Sequence, residues 1–247
     1  MTALNGAAAA ARRMFTRREA LGLISAAGAA AAAACGDSPT GPTPTTSSTS
    51  TGTMTGTDTA STNAACAVTP SETAGPYPSR TDFFRSDIRE GKDGTALTLT
   101  VKVVNTNNNC AAVANAQVEI WHCDVAGNYS QYGSVANQTF LRGIQTTDAN
   151  GTVTFTTIYP GWYQGRATHI HVEATVNGRS VKVSQMAFPE AINNAVHATG
   201  VYASRGANPM SNLSDGIFAD SLMSELVTPS GSVATGYVAA FQLGVAI

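Results

Sequence analysis

The chain has 247 residues, a net charge of −2 and only 12% charged side chains. Four of its fourteen Lys and Arg residues (Arg12, Arg13, Arg17 and Arg18) fall near the start, so the rest of the chain is mildly acidic, with no basic stripe. That balance argues against a nucleic-acid partner, and the length beyond the first third allows one domain with a real core.

Residues 1–35 have the layout of an export signal: a positive start, an apolar run from Ala20 to Ala34, and the small-residue end Ala33-Ala34-Cys35-Gly36. The run is too short and too alanine-rich for a membrane span. Three versions of this reading stand open. Thr16-Arg17-Arg18-Glu19-Ala20-Leu21 resembles a twin-arginine signal, with Ala20 where a bulky residue is usual. Ala33-Ala34-Cys35 resembles a lipoprotein processing site, with Ala32 in place of the usual Leu; Cys35 would then carry a lipid and act as a membrane tether. A plain secretory peptide cleaved nearby is the third. Residues 36–64 are mostly Ser, Thr, Gly and Pro; such a segment cannot offset its ordering entropy, which predicts a flexible tether before a domain at 65–247.

Cysteine usage fits export. Without Cys35 there remain Cys66, Cys110 and Cys123, enough for one disulfide and one free thiol. Cys66 opens the domain and Cys110 follows a polar loop, which favours that pair and leaves Cys123 as a buried thiol in a strand.

The domain reads as all-β. Runs rich in β-branched residues predict strands over 97–104, 117–123, 153–158, 166–176, 181–188 and 236–245. Asn150-Gly151 and Asn177-Gly178 are each placed to close a hairpin. Several short strands with Gly-containing turns point to a β-sandwich with long loops. Residues 193–232 show no regular period and read as a long, partly helical excursion.

The stretch from Ile158 to Val172 gathers the chemistry. In the predicted strand from Arg166, Ile170, Val172, Ala174 and Val176 take one face and His169, His171 and Glu173 the other. Two histidines two apart on a strand can reach one metal ion from a rigid base.

Beside this strand stands Trp121-His122-Cys123-Asp124-Val125-Ala126-Gly127-Asn128-Tyr129-Ser130. With Phe140-Leu141-Arg142-Gly143, Thr147-Asp148, Pro160-Gly161-Trp162-Tyr163 and Arg166-Ala167-Thr168-His169-Ile170-His171, in this order, the chain resembles the intradiol ring-cleaving dioxygenases of catechols. Within them it is most similar to an exported branch related to the protocatechuate and catechol enzymes. The resemblance implies a prealbumin-like sandwich and one non-haem Fe(III) per chain, held by Tyr129, Tyr163, His169 and His171. Two phenolates suit a hard ferric ion.

It also implies a small aromatic diol and O2 as reactants. Tyr163 would be both ligand and general base, Arg166 would stabilise negative charge developing on the ring, and Gln185 would be a donor near the metal on the neighbouring strand. Only five residues separate Tyr163 from His169, fewer than in cytosolic relatives, which implies a reshaped pocket. The linker carries no counterpart of the helical dimerisation segments of the catechol branch, so a monomer or an unrelated dimer is expected.

Structural roles are expected elsewhere. Tyr132 and Tyr159 read as packing residues, His122 as a hydrogen-bonded structural histidine, His197 as solvent-facing, Trp121 as core and Trp162 as pocket wall. Two rival readings stay open: a non-catalytic tethered β-sandwich that binds aromatic or polymeric ligands, and a His-x-His site for copper or zinc.

Overall fold

The computed structural model describes residues 66–247. The predicted leader, the tether and Cys35 lie outside the described residues.

Two sheets face each other. The first contains β1 (Ala96–Asn105), β2 (Ala111–Ala112), β5 (Thr152–Ile158), β8 (Thr228–Ser232) and β9 (Gly236–Val245); the second runs β4 (Arg142–Thr146), β3 (Gln117–Trp121), β6 (His169–Val176), β7 (Arg179–Ala187). β1 pairs antiparallel with β5 and parallel with β9, so the last strand of the chain lies in the middle of its sheet.

The core follows from alternation. Leu97, Leu99, Val101 and Val103 of β1 point inward with Tyr237, Ala239, Phe241 and Leu243 of β9, and meet Val118 and Ile120 of β3 and Ile170, Val172 and Ala174 of β6. The opposite parity of β3 and β6 is then free to carry polar chemistry on the outer face of the second sheet. This is why the histidines can be buried without entering the sandwich core.

The β-sandwich expectation agrees with the structure, with local corrections. β6 begins at His169 and not at Arg166, because the preceding residues form a turn closed by the Arg166 amide donating to the Tyr163 carbonyl at 3.0 Å. β3 ends at Trp121: Asp124 Oδ1 accepts from the amides of Ala126 and Asn128 and pulls the chain into a turn. Asn177-Gly178 does close the β6–β7 hairpin, with φ of 51° and 72°. Asn150-Gly151 closes no hairpin; it turns the chain from β4 in one sheet to β5 in the other, with Asp148 Oδ1 accepting from the Asn150 and Thr152 amides. β4 and β8 were not expected, because Arg-Gly-Ile-Gln-Thr and Thr-Pro-Ser-Gly-Ser carry no strand signature; pairing with β3 and β9 creates them.

The excursion is partly helical as expected, with α1 (Glu190–His197) and the single turn α2 (Leu222–Glu225). His197 is not solvent-facing. It is 1% exposed, beside Tyr159 and Tyr202, because α1 turns this side of the helix onto the sandwich end. Cys66 and Cys110 form a disulfide that closes a 44-residue separation, and Cys123 is free and buried. Loop closure of that size is worth roughly 4 kcal/mol in a chain-entropy account.

Glu225 is fully buried, with its carboxyl against Ser221 and Ser184, and burial raises its pKa from 4.5 to about 7. A carboxyl raised on folding stabilises the fold when protonated, so its contribution is lost as pH rises from about 4.5 through 7. Glu225→Gln is expected to flatten the fall in stability over that window, by on the order of 2–3 kcal/mol in denaturant titrations at pH 5 and pH 8.

Candidate metal centre

The outer face of the second sheet is laid out in rows. In register, Arg142 of β4, Trp121 of β3, His171 of β6 and Gln185 of β7 form one row, and His169 sits beside it. Trp121 is buried as expected, and its ring stacks on the His171 imidazole at 4.9 Å with planes 2° apart, which fixes the imidazole plane. Gly75 covers the other side; a Cβ there would lie 3.2 Å from His171 Cε1 on a backbone at φ 69°, so glycine suits the position.

Three donor atoms converge. The Tyr129 hydroxyl lies 3.1 Å from His169 Nε2 and 3.4 Å from His171 Nε2, and the two Nε2 atoms are 3.1 Å apart. His169 Nδ1 donates to the Ala167 carbonyl at 2.6 Å, which leaves its Nε2 with a lone pair. His171 Nδ1 is buried without a hydrogen-bond partner. Burial pushes both imidazoles down, His169 to about 3, so both are neutral at physiological pH. Burial raises the Tyr129 phenol well above its ordinary value, a shift that a bound cation would reverse.

A triangle of neutral nitrogens and a phenol with such edges fits a cation. For donors about 2.0–2.1 Å from an ion, ligand angles of 90–110° give separations of roughly 3.0–3.4 Å. Among the described residues no three His, Cys, Asp or Glu side chains gather to hold a metal; the third side-chain atom beside the two imidazoles is the Tyr129 phenol.

Tyr163 is half-buried on the same aromatic cluster, with ring centroids 5.9 Å from Tyr129, and its hydroxyl is hydrogen-bonded to that of Tyr77 at 2.7 Å. Tyr77 stacks on Tyr129 at 4.9 Å, and sequence reasoning missed it. The signal available was Ala74-Gly75-Pro76-Tyr77-Pro78, a rigid turn presenting one aromatic.

Arg166 is held on two sides. Its Nε donates to both oxygens of Asp215, at 2.9 and 3.2 Å, and its Nη2 to Gln185 Oε1 at 2.6 Å. Asp215 also accepts from the Ala167 and Ile217 amides at 2.6 and 2.8 Å. Sequence reasoning missed Asp215 too, since it lies in the irregular excursion. Gln185 stands across from His171 as expected, yet its amide donates to the Thr73 carbonyl at 2.8 Å, so it orients Arg166 and ties down the segment carrying Gly75.

The remaining aromatics and His122 behave as structure. His122 bonds Thr157 Oγ1 at 2.8 Å and the Cys123 carbonyl at 2.9 Å, and burial lowers it to about 4. Tyr159 is buried and donates to Asn193; Tyr132 donates to the Pro78 carbonyl. Trp162 is half-buried, with the Arg205 guanidinium over its ring at 3.9 Å.

A dioxygenase family model matches residues 74–182. The intradiol ring-cleavage dioxygenase from Tetranychus urticae is 30% identical with a TM-score of 0.68, over 73% of this chain and 95% of that one. The dioxygenase domain of a dioxygenase carbohydrate-binding protein fusion from the cellulolytic bacterium Streptomyces sp. SirexAA-E is 26% identical with a TM-score of 0.57, over 73% and 99%. Catechol 1,2-dioxygenase from Acinetobacter sp. ADP1, at 20% identity and a TM-score of 0.52 over 72% and 62%, shares the fold. Identity of 30% sustained over nearly the whole of a relative, across the stretch that builds this centre, is family membership: the chain belongs to the intradiol ring-cleavage dioxygenases.

Proposed function

We propose that the protein is an exported non-haem Fe(III) intradiol dioxygenase. It takes a catechol-type diol and O2 and opens the ring between the two hydroxylated carbons, giving a muconate-type diacid that retains both oxygen atoms of O2. The observation that carries the metal assignment is the buried triangle of Tyr129, His169 and His171, with one imidazole orphaned at Nδ1.

Tyr129, Tyr163, His169 and His171 would hold the ion. When bound, Fe(III) supplies the charge that makes a diol dianion and lets the ring donate electron density. The protein residues do the rest. Tyr163 and Tyr77 share a hydrogen bond at the centre's edge, so the Tyr163 phenolate can take a substrate proton and remain hydrogen-bonded afterwards. Arg166, pinned by Asp215 and Gln185, presents a fixed positive charge that needs no reorganisation as negative charge builds on the ring. The Trp121 and Tyr77 rings keep water from the buried donors.

The leader motifs and the Cys66–Cys110 disulfide support an oxidising compartment outside the cytoplasm. Residues 36–64 would hold the domain away from an envelope surface, through Cys35 if that residue carries a lipid.

The test is the visible spectrum of the purified domain with Fe(III), before and after catechol under argon. A broad charge-transfer band that moves to longer wavelength with catechol is expected. A protein that stays colourless after iron reconstitution would overturn the reading.

A further inference from the structure

Arg142 opens β4 and is fully buried, an uncommon placement for a guanidinium. Among the described residues no carboxylate pairs with it. Its partners are neutral oxygens from two separate segments. Nε donates to Ser130 Oγ at 2.9 Å and Nη2 to the Ser130 carbonyl at 2.7 Å. Nη1 donates to the Tyr77 carbonyl at 2.9 Å and to Ser79 Oγ at 3.2 Å.

The two segments are those that carry the stacked tyrosines. Ser130 follows Tyr129, and Tyr77 is the ring stacked on Tyr129 and the hydroxyl bonded to Tyr163. One guanidinium therefore grips the backbone at Tyr77 and next to Tyr129. Other contacts join the same segments: Gln131 bridges the Arg80 amide and Thr81, and the Tyr132 ring lies against both Arg80 and Arg142.

Desolvating a guanidinium with no carboxylate in direct contact is costly, since Glu119 acts on it only at longer range, and an apolar side chain of equal length would fill the space at lower cost. What the guanidinium adds is a planar fork whose charge-assisted bonds fix both distance and angle, which neither Met nor Lys reproduces. We propose that Arg142 is a positioning residue: it sets the spacing between the Tyr77–Tyr163 pair and Tyr129, and with it the width of the opening in which the diol ring seats.

The consequence for catalysis rests on the ferric reading, but the positioning does not, so the two are tested apart. Near-ultraviolet circular dichroism of the metal-free protein reports the packing of the tyrosine cluster. Arg142→Lys, which keeps the charge and loses the fork, is expected to change that spectrum while the far-ultraviolet spectrum is retained. With Fe(III) loaded, its charge-transfer band should shift and kcat per iron should fall about 10- to 100-fold, the usual range for residues that orient metal ligands.

A folded Arg142→Lys protein with wild-type near-ultraviolet spectrum, band position and kcat per iron would overturn the proposal. If that variant does not fold, Ser130→Ala decides, because it removes one of the four bonds. It should move the same three readouts in the same direction by less, and wild-type values for all of them would overturn the proposal equally. A wild-type protein that takes up no iron would sink the ferric reading and leave the metal-free comparison to judge Arg142.

Discussion

His171→Ala is expected to abolish the charge-transfer band and to reduce ring cleavage by more than the 10- to 100-fold typical of residues that only support a metal ligand. The substitution removes one of the three donor atoms 3.1–3.4 Å apart and leaves Trp121 without its stacked partner. His122→Ala is the control, since His122 is equally buried but bonds Thr157 and the Cys123 carbonyl instead of joining the donor triangle. It should lower stability by roughly 1–3 kcal/mol, the cost of an unsatisfied buried partner, and leave iron uptake at the level of the unsubstituted protein. Iron analysis and the visible spectrum of the two purified variants check the pair; equal iron loss in both would mean that the centre collapses with any local disturbance.

The second large effect is expected at Asp215. Asp215→Ala removes a carboxylate that is 1% exposed and serves Arg166 together with the Ala167 and Ile217 amides. The orphaned guanidinium and amides should cost roughly 3–5 kcal/mol, as broken buried ion pairs do. For a domain of this size that lowers Tm by about 10 °C or more. Ring cleavage should fall about 10- to 100-fold even at temperatures where the variant is folded, because Arg166 and the turn leading into His169 lose their common anchor. Asp215→Asn keeps one acceptor and should lose less of both. Thermal unfolding followed by far-ultraviolet circular dichroism, with kcat measured well below Tm, separates the stability loss from the positioning loss.

These two sites differ in how they could be read. His169 and His171 were visible because strand alternation is a local property: a residue's parity decides its face, and Ile170 and Val172 between and beside them had to point into the core. Tyr129 and Tyr163 were visible only through the ordered motif, because a tyrosine near a glycine turn has no local mark that separates ligation from packing. Asp215 had no mark at all. It lies 48 positions from the Ala167 amide it accepts from, in a segment without periodicity, and only the return of that segment across the end of the sheet makes the contact. Tyr77 and Arg142 meet for the same reason, across 65 positions.

Boundaries failed where a turn overrides the strand. The expected strand from Arg166 was shortened by a turn, and the expected hairpin at Asn150-Gly151 became a crossing between sheets, since a turn residue specifies a change of direction and not the partner strand. His197 was misplaced because the chain from 193 onward was read as irregular, whereas it ends a helix whose Ile192, Asn193 and Val196 side packs on the sandwich and takes His197 with it.

By itself the sequence determined the all-β class, the two-sheet layout and the pair of histidines on one outer face, because each depends on alternation or composition within short stretches; it favoured Cys66 with Cys110 among three possible pairings, and only the fold, which brings residues 44 apart together, decided that bond. Tertiary structure alone decided that Trp121 clamps His171, that Tyr77 holds Tyr163, that Asp215 and Gln185 aim Arg166, and that Arg142 ties two tyrosine-bearing segments together. Those contacts join residues far apart in the chain, and their existence depends on how loops return over a sheet, which local propensity does not encode.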